Sequence, residues 1–206
     1  MTEPEKRMTF PNPMLVVVSG PSGVGKSTIV AELARRRPQV VPIVTATTRA
    51  QRADEIDGVH YHFLTEEAFR ALIERDGLLE YANNHGHWYG TPVDQVRGIL
   101  AAGRDAILTI SPEGARNVRR LVPDALLIFV MPPSMEDLAD RLRSRGSESE
   151  ASIARRRHDA ERWMAEADDY DHVVVNETGR PEAAADLIWD IIQSEARRDP
   201  PRRPRV

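Results

Sequence analysis

Short apolar, β-branched runs alternate with stretches of helical period along most of this chain. Met14–Ser19, Val40–Thr45, Asp105–Ile110, Ala125–Val130 and His172–Val175 are apolar without strict alternation, as expected of parallel strands buried on both faces. Amphipathic periodicity predicts helices over Lys26–Arg37, Glu66–Asp76, Val93–Ala102, Gly114–Leu121, Met135–Ser144, Ile153–Ala167 and Glu182–Arg197. Ser134 and Asp137 have capping-box spacing before one of them. Strand and helix in succession predict an α/β fold with a central parallel β-sheet flanked by helices. Two stretches break the rhythm. Residues 49–90 are polar and rich in Tyr, His and Gly, and read as shorter strands around one helix, while residues 143–162 are crowded with charge. Both are expected to be insertions on the core.

Composition narrows the class. The chain has 206 residues, enough for one domain with a real core, and no cysteine for a disulfide or a thiolate metal site. Its apolar runs are strand-sized, and the N-terminus has no apolar stretch after its charges, so neither a membrane span nor a signal peptide is expected. A net charge of −4 gives no reason to expect nucleic-acid binding. A soluble, cytoplasmic protein is the expectation. Residues 1–13 read as a flexible arm and residues 197–206, RRDPPRRPRV, as a flexible basic tail with nothing to bury. Only two of the 28 basic residues are lysines, Lys6 and Lys26.

Lys26 sits in a motif. Gly20-Pro21-Ser22-Gly23-Val24-Gly25-Lys26-Ser27-Thr28 reads G-x-x-x-x-G-K-[ST] between a predicted strand and a predicted helix, the context this phosphate-binding motif requires. Successive backbone N–H groups at a helix N-terminus cradle phosphate oxygens. Lys26 is expected to reach the β and γ phosphates of a nucleoside triphosphate, and Ser27 to offer its hydroxyl to Mg²⁺.

A second constellation follows in residues 45–91. Arg49 and Arg52 lie beside the hydroxyl-rich Thr45-Ala46-Thr47-Thr48, with Tyr61, Glu80, Tyr89 and Thr91 further on. Two guanidiniums and tyrosine hydroxyls suit a phosphate monoester, and a glutamate after an apolar pair suits the N–H groups of a purine. His60-x-His62 and His85-x-His87 have strand spacing for a shared face, but no fixed third ligand accompanies them, so they are read as structural.

In order and spacing, GPSGVGKST, TATTRAQR, DGVHYHF, LLEYA, WYGT, MPPSMEDLADRLRSRG and VVVNE resemble the guanylate kinases, over about residues 14–195. The resemblance implies a P-loop NTPase core with a small insertion for the nucleoside monophosphate and a helical lid. The core would comprise residues 14–44, 92–142 and 169–196, the insertion 45–91 and the lid 143–168. ATP would phosphorylate GMP with Mg²⁺ as cofactor, without a nucleic-acid or membrane partner. Thr45 would meet the guanine O6 side, and Arg49, Arg52, Tyr61 and Tyr89 would hold the GMP phosphate. Glu80 would accept from guanine N1 and N2, with Thr91 beside it. The lid arginines Arg145 and Arg156 would act on the transferring phosphoryl group together with Lys26 and Arg52, and Asn176 would line the adenine pocket.

The chain departs from the family where L-D-I-D-x-Q-G is usual: it reads Leu108-Thr109-Ile110-Ser111-Pro112-Glu113-Gly114. Thr109 replaces an aspartate near metal and phosphates, and Ser111 one that assists Glu80 at guanine N2. A neutral partner in place of a charged one weakens such a hydrogen bond by about 1 kcal/mol. Glu113 would compensate if the Pro112 turn swings it inward. These changes leave two alternatives: a kinase with another acceptor, such as a ribose bisphosphate, or a non-catalytic guanylate-kinase-like binding module. Glu80 argues against the first; Lys26, Arg145 and Arg156 argue against the second.

Overall fold

A computed structural model describes residues 12–84, 86–144 and 150–206. The apolar runs form five strands, β1 (Leu15–Ser19), β2 (Val40–Pro42), β7 (Asp105–Thr109), β8 (Leu126–Met131) and β9 (His172–Val175). They pair in parallel in the order β2-β7-β1-β8-β9. Every residue of β1 is buried because it lies in the middle, with helices on both faces. Its side chains divide by parity, as a strand's period of two dictates. Met14, Val16 and Val18 join a cluster with Ile29 and Leu33 of α1 (Lys26–Arg36) and Ile188 and Ile192 of α7 (Pro181–Ala196). Leu15 and Val17 face the opposite cluster, with Val96 of α3 (Val93–Ala101) and Ala115 and Val118 of α4 (Pro112–Leu121).

Residues between β2 and α3 form a separate four-stranded sheet, β4-β3-β6-β5, from β3 (Ala46–Thr47), β4 (His62–Phe63), β5 (Leu78–Asn84) and β6 (His87–Pro92). α2 (Glu66–Glu74) starts at Thr65, whose hydroxyl accepts from Ala68 N at 3.1 Å. It delivers the fully buried Phe69 beneath the sheet, stacked on Trp88. Gly90 is required there, since a Cβ would lie 2.8 Å from Leu78 and 2.9 Å from the Phe69 ring. α5 (Met135–Ser144) is capped by Ser134 Oγ, which accepts from Asp137 N at 3.0 Å. α6 (Glu150–Met164) follows, and Arg145 lies outside the described residues.

The C-terminal tail corrects the expectation of a loose end. Arg202 is 7% exposed: its Nε donates to Glu195 Oε2 at 2.7 Å, its Nη1 to Ala125 O at 3.1 Å, and its Nη2 pairs with Asp171 at 3.4 Å. Val206 packs against the cluster on the α3 and α4 face. The composition suggested nothing to bury, but an arginine finds its partners in the tertiary structure, here on the approach to β9 and the end of α7. Arg202→Ala leaves two partly buried carboxylates without this cation, with an expected loss of about 2 kcal/mol. In thermal denaturation the midpoint falls by about 4–8 °C; an unchanged midpoint contradicts the clamp.

Candidate active site

β1 ends at Ser19 and the chain turns through the glycine-rich loop into α1. Two glycines are sterically compelled. A Cβ at Gly20 would sit 2.3 Å from Val130 O, and one at Gly25, where φ is +99°, would sit 2.5 Å from Asn176 Nδ2. The Lys26 ammonium crosses the loop and donates to Gly20 O at 2.7 Å and Pro21 O at 2.9 Å.

One cleft gathers most of the expected residues. Its walls include Gly20, Ser22, Gly23, Gly25, Lys26, Ser27 and Thr28 from the loop and α1, and Thr45, Arg49, Arg52, Tyr61, Glu80 and Tyr89 from the insertion. Ser111 lines it from the start of α4, and Arg156 from α6, where it donates to Ser22 Oγ. Arg156 of α6 therefore touches the phosphate loop directly.

Other expected residues stand elsewhere. Val24 is fully buried in the core, and Pro21 contributes its carbonyl to Lys26. Thr91 is also fully buried and reaches the cleft only by its hydrogen bond to Glu80. Asn176 does not line the cleft: 5% exposed, it donates from Nδ2 to Val24 O at 2.7 Å. Its short side chain fits under Gly25 because that residue has no Cβ, so it braces the loop from below. Glu113 is exposed, since Pro112 opens α4 and turns the next side chain to solvent. His60 Nδ1 accepts from Ile56 N at 2.9 Å within the insertion, and His62 Nε2 lies 3.3 Å from Gln95 Nε2 on α3.

The arginine end is organised by a residue the sequence did not single out. Glu55 lines the cleft, pairs with Arg49 at 2.6 Å and accepts from Arg52 N at 2.8 Å. Burial opposes its ionisation, but hydrogen bonds from Arg49 and the Arg52 N–H prevail and hold its pKa below the ordinary carboxylate value. The Arg49 guanidinium also lies over the Tyr61 and Phe63 rings, at 5.5 and 5.7 Å. Glu55 gave no motif signal because it stands in an ordinary acidic run. Asn84 on β5 and Trp163 on α6 also line the cleft without having been anticipated.

Glu80 is the opposite case. It is 5% exposed and its one close partner is neutral: Thr91 Oγ1 donates to Oε1 at 2.6 Å. A Cβ at residue 114 would lie 2.9 Å from Oε2, so Gly114 makes room for the carboxyl. Burial pushes its pKa up to about 7, against the Thr91 hydrogen bond and with the help of the Glu113 charge.

The donor set fits Mg²⁺ held mainly by bound phosphates. Ser27 lines the cleft beside Lys26, and the lining carboxylates, Glu55 and Glu80, belong to the insertion. Magnesium commonly keeps waters and substrate phosphates in its shell, with few protein ligands.

A phosphate loop at the C-terminal ends of parallel strands, facing an arginine-bearing insertion and a helical lid, defines a P-loop nucleotide kinase. The guanylate kinase family model matches residues 12–193. A guanylate kinase of Desulfitobacterium hafniense (strain Y51) is 47% identical over 164 residues, covering 80% of this chain and 82% of that protein. One of Synechococcus sp. (strain JA-3-3Ab) is 48% identical over 163 residues, covering 79% and 75%. The crystal structure of guanylate kinase from Anaplasma phagocytophilum superposes with a TM-score of 0.73 at 29% identity, covering 91% of this chain and 88% of that one. The chain belongs to the guanylate kinase family. No described helix is long and apolar enough to cross a membrane.

The raised pKa of Glu80 has a signed consequence for stability. The folded protein holds this proton more tightly than the unfolded chain, so the contribution is present below pH 4.5 and lost as pH rises through about 7. Glu80→Gln removes the titration. Relative to that variant, the wild type is expected to lose about 3 kcal/mol between pH 5 and pH 8. Thermal melts of both proteins across that range measure it; parallel curves would refute a buried, titrating Glu80.

Proposed function

We infer that the protein transfers the γ-phosphoryl group of ATP to GMP, giving ADP and GDP. The observation that carries this reading is the cleft: a phosphate loop, an arginine and tyrosine cluster and a buried purine-reading carboxylate line one space. Neither a sugar-phosphate acceptor nor a binding module calls for all three.

An oxygen of the GMP phosphate attacks the γ phosphorus in line. The bond to the β–γ bridging oxygen breaks, and ADP leaves with that electron pair. Such a reaction leaves little covalent work for the protein, so catalysis is positioning and neutralisation of charge. The loop N–H groups and Lys26 hold the ATP phosphates, and Arg49, Arg52, Tyr61 and Tyr89 hold the acceptor phosphate. Arg156, already against the loop, offers its guanidinium to the transferring group and helps exclude water. Arg145 is assigned the same role by its position in the family motif. Ser27 would hold Mg²⁺, which when bound would supply positive charge that offsets the developing charge on the ATP phosphates. Ionised Glu80 accepts from guanine N1–H and one 2-amino hydrogen, while Thr45 faces the O6 side.

Coupled measurement of ADP release with GMP, dGMP, AMP, IMP and ribose bisphosphate tests the acceptor. GMP is expected to be turned over in strong preference to AMP and ribose bisphosphate. Turnover with another acceptor but not with GMP would reject the reading. Lys26→Ala is expected to lower kcat by about 100-fold or more, since it removes a charge aimed at the transferring phosphoryl group. Retention of near-normal turnover in that variant would remove Lys26 from the mechanism.

A further inference from the structure

Glu80, Ala82 and Asn84 occupy alternate positions of β5 and all line the cleft, as the period of a strand requires. Asn84 reaches toward the start of α4, where its Nδ2 donates to Ser111 Oγ at 3.3 Å. The same oxygen caps the helix by accepting from Gly114 N, also at 3.3 Å. A hydroxyl oxygen has two lone pairs. Both are engaged, so Ser111 has no acceptor left for a ligand. The Asn84 amide still has one: among the described residues no donor bonds to its Oδ1.

Guanine presents three hydrogens on one edge, N1–H and the two of the 2-amino group. A carboxylate set against that edge accepts two of them, and Glu80 already takes a further hydrogen bond from Thr91. The third hydrogen needs another acceptor near the start of α4. We propose that Asn84 Oδ1 accepts the second hydrogen of the guanine 2-amino group, with Ser111 fixing the orientation of the amide. Specificity for a 2-aminopurine is thus shared between a charged residue and a neutral one on the same strand. The assignment rests on GMP being the acceptor.

IMP isolates the interaction, because hypoxanthine has the same ring without the 2-amino group. Asn84→Ala and Asn84→Asp are compared with wild type by kcat/KM for both nucleotides, with thermal melts to verify folding. Loss of one neutral hydrogen bond is expected to lower the GMP to IMP ratio of kcat/KM about 3- to 10-fold in Asn84→Ala. Asn84→Asp retains an acceptor of nearly the same shape and is expected to hold or raise that ratio. An equal fall for GMP and IMP in Asn84→Ala would overturn the assignment, because it is the signature of a residue that only supports the helix cap. So would an unchanged ratio. A lowered ratio in Asn84→Asp would also overturn it, which keeps the test decisive if the alanine variant fails to fold. No wild-type turnover of GMP would instead bring down the GMP reading beneath it.

Discussion

The cleft depends on how closely the phosphate loop lies against its neighbours. Gly20 passes β8 so tightly that a methyl group would enter the Val130 carbonyl, and Gly25 rests on the Asn176 amide. Asn176 and Arg141 both donate to Val24 O, and Arg141 also bonds Asn176 O at 2.8 Å. The buried β1, the ends of β8 and β9 and the lid-bearing α5 therefore meet at one turn of backbone. This turn has to keep several N–H groups aimed inward, because misplacement by about 1 Å is expensive in phosphoryl transfer. Asn176 thereby braces the loop from its buried side.

The two carboxylates of the cleft show how partner chemistry and burial together set charge. Glu55 meets the Arg49 guanidinium, which favours its ionised form, and it bonds Arg49 by the side chain and Arg52 by its backbone N–H. Glu80 has a hydroxyl for a partner and a desolvated site, and it takes up a proton near neutrality. The arginine end is thus permanently charged and the base end adjustable. Hydrogen-bond donors brought against Glu80 would favour its ionised form.

Much of this organisation was legible in the residues. Strands buried on both faces advertise themselves by unbroken apolar runs, and the phosphate loop by glycines at positions where backbone contact forbids a side chain. The insertion was visible as a change of texture from aliphatic to polar and aromatic. What escaped depended on tertiary pairing. Glu55 looks like any residue of an acidic turn until Arg49 folds over it, and Arg202 looks like any basic tail residue until Glu195 and Asp171 meet it. The family motif marks Asn176 as a site residue, but its hydrogen bond to Val24 O beneath the loop appears only in the folded chain. Asn84 carries no motif at all, and its relation to Ser111 exists only because α4 runs beside β5.

The neutral residues at 109 and 111 follow from the same electrostatics. The cleft must admit two phosphate-bearing nucleotides, and each carboxylate removed from its wall lessens repulsion against them. A second carboxylate at residue 111 would stand one turn from Gly114, the residue against which Glu80 Oε2 rests. Like charge nearby raises the pKa of a buried acid further, as Glu113 already does. Serine keeps the cap on α4 and spares Glu80 that penalty, so Glu80 ionises more readily. What serine lacks at residue 111 is a free hydrogen-bond acceptor, which a neutral group beside it can supply without adding charge near Glu80. The amide at residue 84 meets that requirement, since it anchors on the serine by its N–H and keeps an oxygen for the cleft.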